Sequence, residues 1–486
     1  MKKVIKILKK SINLSNIDVL TKILEYERLV WQIFWSLILF ILSGLTIWLF
    51  ILNLLNYFQY EVVSKIENLY ERPSEFPVVT LCDSNPLTSL YAQSLMDLMA
   101  SFDFYDLSTQ SNLTYSERYK NGQILFNYAK IRAKSELNDE SKTKLGFYFD
   151  RINACKFDGR QCDMKNDFHW YYSYEHGNCW QFNSGLNSKN ERVPIKKTNL
   201  EGQENGLEIT VWALMNLNKN IGTFSDGLVL FVHNQSYLPS PTERIFLRPG
   251  KESRIEVGRI FSKNQPRPFS ECQDLSQNSF NSEFYAFILS HQNASYRQLE
   301  CLDLCRQKVI IDDCGCYFPK FDMLYESPPC LTKTQGYCLG KYTYEREILT
   351  NETLEKCVNE CPLECESVKY RMKLSTLKYP NEQDYLLFLE KNYDLVNWYK
   401  KETGKDGSYE EFRKMSYSIS VFYSSMHYTK ITQSPKMYAF DLFSQLGGCI
   451  GVFIGISVFH LIEILEIILS FFSEIFVRKN LLKINP

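Results

Sequence analysis

Two long uncharged stretches lie near the two ends of this 486-residue chain, and fourteen of its fifteen cysteines fall between them. The first runs from Leu29 to Tyr60, well beyond the roughly 20 apolar residues that cross a bilayer core. The second is uncharged from Leu442 to Ile462, then admits Glu463 and Glu466 and stays mostly apolar as far as Val477. Such a chain cannot bury all its apolar surface in one water-soluble core. The layout predicts an α+β membrane protein in which two transmembrane helices flank a large disulfide-rich extracellular domain with a central β-sheet and peripheral helices. The expected divisions are a tail over 1–28, a first span over 29–58, an outer domain over 59–437, a second span over 438–477 and a tail over 478–486.

Lys2, Lys3, Lys6, Lys9 and Lys10 precede the first span, and Arg478, Lys479 and Lys483 follow the second. The positive-inside bias therefore places both termini in the cytoplasm of a multi-pass plasma-membrane protein. In the oxidising space outside, an even number of closely spaced cysteines reads as a framework of disulfides whose pairing spacing alone cannot give. Sequons at Asn112, Asn234, Asn293 and Asn351 fit an exposed glycosylated surface. A cleaved signal peptide is the alternative for the first span, and its length and the lack of a small-residue cleavage site count against that reading. Zinc is the rival for C-x3-C spacings such as Cys357–Cys361–Cys365. The six histidines do not gather near the cysteines, so no metal is expected.

A net charge of −1 with no basic, aromatic-interleaved run argues against nucleic acid as a partner. No HExxH, GxSxG or P-loop pattern occurs, so neither an enzyme nor a bound cofactor is expected. Runs of β-branched and apolar residues at Val78–Leu81, Gly206–Val211 and Gly227–Val232 predict strands of a central sheet. Helical spacing predicts helices over Leu87–Phe102 and Asn381–Tyr399, and the polar segments 183–205 and 239–252 predict loops.

Gly447, Gly451 and Gly455 recur every four residues and are expected along one helix face, where small residues let helices pack closely. Glu463 and Glu466 point to a different use, because acids at membrane depth usually face water or a cation. No basic residue in the first span can pair with them. Two spans cannot enclose a pore, so a conducting form requires a symmetric oligomer with several copies of the second span about its axis. Backbone carbonyls of a locally extended stretch at Gly455 to Ser457 could then replace part of an ion's water shell.

Several motifs in order resemble the degenerin/epithelial sodium channel family. They are YERL at Tyr26–Leu29, FPVVTLC at Phe76–Cys82, GNCWQFNSG at Gly177–Gly185, NGLEI at Asn205–Ile209, the C-x-C of Cys314 and Cys316, CPLECESVKY at Cys361–Tyr370, and GGCIGVFIGIS at Gly447–Ser457. The resemblance implies a trimer, homomeric or heteromeric with related subunits, that is amiloride-sensitive and passes sodium as its permeant ion. It implies a selectivity filter at Gly455, Ile456 and Ser457, with Asp441, Ser444, Gly448, Gly451, Glu463 and Glu466 along the pore and gate. It also implies pairing of Cys82 with Cys179, Cys155 with Cys162, Cys272 with Cys365, Cys301 with Cys361, Cys305 with Cys357, Cys314 with Cys338, and Cys316 with Cys330. The last five would form a ladder between two antiparallel helices, leaving Cys449 free. Tyr60 and Phe269 occupy the positions of an aromatic contact that couples the outer domain to the pore.

The departures are informative. The family's cytosolic His-Gly falls on Asp18 and Val19, which keeps open a non-conducting regulatory subunit that needs partners. Pore-mouth acids of acid-sensing members fall on Tyr438 and Gln445, with Asp441 as a substitute. A histidine pair of those members falls on Glu61 and Val62, which removes the simplest proton switch and favours an extracellular ligand, a small peptide, over acid. The ATP-gated trimeric receptors share the topology, but the C-x-C and G-x-S motifs favour the first family.

Overall fold

The computed structural model describes residues 28–101, 115–212, 227–235, 239–240, 243–274, 282–292, 296–321, 326–343, 351–383, 385–404 and 406–455, together with 462 and 469. The helices are α1 (Leu29–Phe58), α2 (Leu90–Ser101), α3 (Tyr115–Ser135), α4 (Asp139–Thr143), α5 (Glu283–Gln292), α6 (Gln298–Cys314), α7 (Lys333–Thr343), α8 (Asn351–Glu360), α9 (Tyr385–Lys391), α10 (Tyr393–Thr403), α11 (Tyr409–Met415) and α12 (Ala439–Ile454). The strands are β1 (Val62–Tyr70), β2 (Ser74–Glu75), β3 (Val78–Asp83), β4 (Ile152–Phe157), β5 (Arg160–Gln161), β6 (Phe168–Ser173), β7 (Gly177–Phe182), β8 (Lys197–Thr198), β9 (Leu207–Trp212), β10 (Leu228–His233), β11 (Arg244–Leu247), β12 (Lys251–Lys263), β13 (Cys272–Gln273), β14 (Leu363–Glu364), β15 (Glu366–Lys378), β16 (Ser416–Tyr423) and β17 (His427–Pro435). Two compact units result: one holds 28–64, 268–270 and the segment from 433 onward, the other 65–267 and 271–432.

The larger unit is built on two sheets. One runs β1-β17-β12-β16-β9-β4-β5, with β15 along the other edge of β12; the second runs β11-β10-β3-β7-β6. Their facing residues, among them Phe76, Leu81, Phe182, Ile209, Leu230 and Val421, form the main core, as alternation along pleated strands requires. A Cβ on Gly206 would lie 2.3 Å from the Val421 carbonyl oxygen, so the glycine of NGLEI lets β9 start flush against β16. Strand β12 has an unusual position. It pairs in parallel with β16 over Lys251–Val257 and then with β17 over Ile260–Lys263, while β15 covers its opposite edge over the whole length.

Four expectations are corrected. The helix expected over Leu87–Phe102 starts at Leu90, because Ser89 Oγ accepts the Ala92 N–H at 2.9 Å and so caps the first turn. The helix expected over Asn381–Tyr399 is two, α9 and α10, parted at Asn392. That residue is buried, and its side chain donates to the Phe388 carbonyl at 2.6 Å and accepts from Asn153 at 3.0 Å. The loops expected over 183–205 and 239–252 both contain strand: the first holds β8, paired with β2, and the second holds β11, an edge strand completed by pairing with β10, and the start of β12.

Helices flank the sheets and carry small cores of their own. Trp212, Phe388, Tyr399, Phe412 and Met415 seat α9 to α11 at the end of β9. Phe284, Ile288 and Leu304 pack with Cys301, Cys305, Cys357 and Cys361 where α5, α6 and α8 meet.

Candidate functional site

The smaller unit pairs α1 with α12. Leu442, Leu446, Cys449, Ile450 and Phe453 are buried or half-buried, a spacing of three and four that marks one helix face. Asn53 of α1 reaches Cys449 Sγ at 3.9 Å, and Cys449 is free of any disulfide. On the other face Phe440, Ser444, Gly447, Gly448 and Gly451 are exposed in the single chain. Asp441 sits in the first turn and accepts the Tyr438 N–H at 2.9 Å. It therefore caps the helix, a favourable place for a carboxylate.

Gly455 is not part of the helical stripe expected with Gly447 and Gly451. Its φ of 78° and ψ of 15° are left-handed, and its N–H bonds the Gly451 carbonyl at 3.1 Å. A glycine adopts this turn without the clash a Cβ would bring, so α12 stops there and the backbone changes direction. Ile456, Ser457, Glu463 and Glu466 lie outside the described residues.

Tyr60 follows α1 with a positive φ of 51°. Its ring meets Phe269 edge to face, with centroids 5.5 Å apart and planes at 86°, the arrangement that opposed ring quadrupoles favour. Next to it, Lys436 donates its backbone N–H to the Glu61 carbonyl at 2.9 Å, and its ammonium pairs with the Glu61 carboxylate. In the sequence Glu61 stands out only as the place of an absent histidine; the one signal for the pair is its opposite charge at the two ends of the outer domain.

In the larger unit the disulfides join Cys82 to Cys179, Cys155 to Cys162, Cys272 to Cys365, Cys301 to Cys361, Cys305 to Cys357, Cys314 to Cys338 and Cys316 to Cys330. The five later bridges do not clamp a simple helix pair. Cys272–Cys365 joins β13 to the residue between β14 and β15, two bridges tie α6 to α8 and its C-terminal end, one ties the end of α6 to α7, and Cys316–Cys330 closes the segment that follows α6. At the start of α6, the two terminal guanidinium nitrogens of Arg297 donate to the two Glu243 carboxylate oxygens, at 3.2 and 3.4 Å. Burial nonetheless holds that carboxyl above its ordinary range. On α3 the Lys130 ammonium lies 4.6 Å from the Tyr174 ring centroid and 5.4 Å from that of Phe126, and burial lowers its pKa to about 8.

Of the expected glycosylation positions, Asn234 follows β10 and is half-buried, while Asn351 begins α8. Asn112 and Asn293 lie outside the described residues. No group of three or more His, Cys, Asp and Glu able to hold a metal occurs among the described residues.

The family model for the amiloride-sensitive sodium channel matches residues 13–467. The chain is 25% identical to the human bile acid-sensitive ion channel, over 93% of this chain and 83% of that one. It is 22% identical to the FMRFamide-activated amiloride-sensitive sodium channel of Cornu aspersum, over 95% and 82% respectively. To the epithelial sodium channel gamma subunit of Neoceratodus forsteri it is 27% identical, covering 71% of this chain and 49% of that one. The chain belongs to the amiloride-sensitive sodium channel family.

Proposed function

We propose that the chain is one subunit of a trimeric, amiloride-sensitive, sodium-selective channel of the plasma membrane, both termini cytoplasmic, opened by an extracellular ligand. The observation that carries this reading is the shape of α12. One face packs on α1, the opposite face offers Ser444, Gly448 and Gly451, and the helix breaks at Gly455. Small residues on an open face suit close approach of further copies, and a break at membrane depth is tolerated where backbone lines a cavity. In this reading Ile456 and Ser457 complete the filter around sodium with Gly455, and Glu463 and Glu466 belong to the ion pathway. A small peptide is the favoured ligand class, since Glu61 and Val62 leave no histidine beside the first span and the Cornu aspersum relative is activated by a peptide.

A second reading, a regulatory subunit that conducts only with partners, is favoured by Asp18 and Val19. Voltage clamp of the chain alone, and then with a related subunit, separates the two readings. Amiloride-blocked sodium current from the chain alone supports the first, and current only on co-expression supports the second. Ser457→Cys is expected to reduce sodium over potassium selectivity at unchanged surface level. An unaltered reversal potential would remove Ser457 from the filter.

A further inference from the structure

An arginine occupies a core position of the strand that serves two neighbours. Along β12, Ser253, Ile255, Val257 and Arg259 point inward, and Arg259 is only 6% exposed. Its guanidinium donates to the Glu71 carboxylate at 2.5 Å and to Ser74 Oγ at 2.6 Å. Ser74 Oγ in turn donates to the Glu71 carbonyl at 3.1 Å. The guanidinium carbon lies 4.9 Å from the Tyr423 ring centroid and 5.3 Å from that of Tyr428. A buried guanidinium needs its donors paired and its charge answered; one carboxylate, one hydroxyl and two ring faces do this here.

The place matters more than the pair. Arg259 falls between Val257, the last β12 residue paired with β16, and Ile260, the first paired with β17. Tyr423 ends β16 and Tyr428 lies at the start of β17, so the arginine spans the turn that joins them. That turn is held on every side. The Ser424 N–H bonds the Val257 carbonyl at 3.2 Å, Glu71 N–H the Met426 carbonyl at 3.3 Å, and Gly202 N–H the Tyr423 carbonyl at 3.0 Å. The Met426 N–H bonds the Glu201 carboxylate at 3.1 Å. In sequence, β1 follows α1 and β17 precedes α12, so the strands meeting at this arginine are those next to the two membrane helices.

We propose that Arg259 is a positioning residue for gating: by clasping Glu71 and Ser74 beneath the Tyr423 and Tyr428 rings, it fixes where β12 passes from β16 to β17. The clasp holds the β16–β17 turn, and releasing it changes how fast and how far the strands leading to the membrane helices rearrange. The gating half of this inference rests on the channel reading above; the clasp itself does not.

Two measurements on the chain, in detergent and in cells, decide it. Arg259→Met and Glu71→Gln are expected to speed amide exchange in peptides covering 424–428 on the order of tenfold, the scale of a lost charged hydrogen bond, while 207–212 stays unchanged. The double variant is expected to do no more than the stronger single one, because the two groups act as one unit. Arg259→Lys keeps the charge but not the two-pronged geometry, so intermediate exchange is expected. At equal surface level, Arg259→Met and Glu71→Gln are expected to alter current onset and decay, and Arg254→Met, whose guanidinium pairs outward with Glu252 at 2.7 Å, is not. Unchanged exchange at 424–428, or acceleration spread equally to 207–212, overturns the clasp. Altered exchange with normal current kinetics overturns its gating role. A wild-type chain silent alone and with relatives sinks the channel reading and leaves the clasp to the exchange result. Ser74→Ala, a milder cut, gives the same exchange test should Arg259→Met fail to fold.

Discussion

In the cysteine-rich body, Phe284, Leu304 and four half-cystines pack together where α5, α6 and α8 meet, and each is 4% exposed or less. In the apolar helices α1 and α12 only Thr46 and Leu442 are buried among the described residues, while Phe40 is 81% and Val452 80% exposed. The first region is closed by its own chain. The second presents apolar side chains and an uncovered row of small residues that its surroundings must complete. Small differences in packing should therefore matter for folding in the body and for conduction in the helices.

The largest expected effect tests the closed region. Replacing Cys305 and Cys357 together by serine removes a bridge whose loss in secreted domains typically costs about 2–5 kcal/mol. Most of the chain should then fail to reach the surface, as read by surface labelling. Cys449→Ser, in α12, should leave surface level unchanged. The reverse pattern would break the contrast.

A smaller stability effect is expected at Lys130, whose pKa burial lowers from 10.5 to about 8. Between those values the unfolded chain holds more proton than the folded one, so stability rises with pH; below about 8 both forms are charged and the burial cost is felt in full. The detergent-solubilised chain should gain Tm between pH 8 and 10. Lys130→Met should lack that gain and melt roughly a few degrees higher at pH 7. Parallel Tm–pH profiles for the two proteins would show that the ammonium is not desolvated.

The helices are tested by adding volume. Ser444→Phe enlarges the uncovered face of α12, and packed interfaces accept extra volume only with roughly 1–3 kcal/mol of strain. Resting amiloride-blocked current should rise under voltage clamp. A variant that stays shut at rest and opens normally would mean that this face meets lipid rather than other copies. The smallest effect is expected at Phe269→Ala, which removes an aromatic pair worth about 0.5–1.5 kcal/mol beyond burial. The response to the opening stimulus should weaken at constant surface level, and an unchanged dose–response would place the coupling elsewhere.

The parts legible in the sequence were those where one residue type carries the signal. The bounds of α1 follow from absent charge, and β3, β9 and β10 from runs of Val, Ile and Leu. β15 was missed because its burial alternates only faintly, exposing Lys369, Arg371 and Lys373; it is a strand because β12 answers its backbone, not because it is apolar. Asn392 and Ser89 show a second limit. Both set a helix boundary through side-chain hydrogen bonds, which hydrophobic spacing cannot register. In the site, glycine spacing suggested a single stripe, whereas the left-handed Gly455 belongs to the break. Arg259 was readable in principle, as a charge in phase with Ile255 and Val257.

The Lys436–Glu61 contact joins residues 375 positions apart. Its ion pair is well exposed and contributes little by itself. The backbone bond beside it is what brings the chain back to where it left. In outline, then, α1 and α12 are a helical hairpin whose connecting loop happens to be a folded protein. Inserting a large loop between fixed ends costs little more entropy than a short one, so the loop can change in size and recognition without rebuilding the stem.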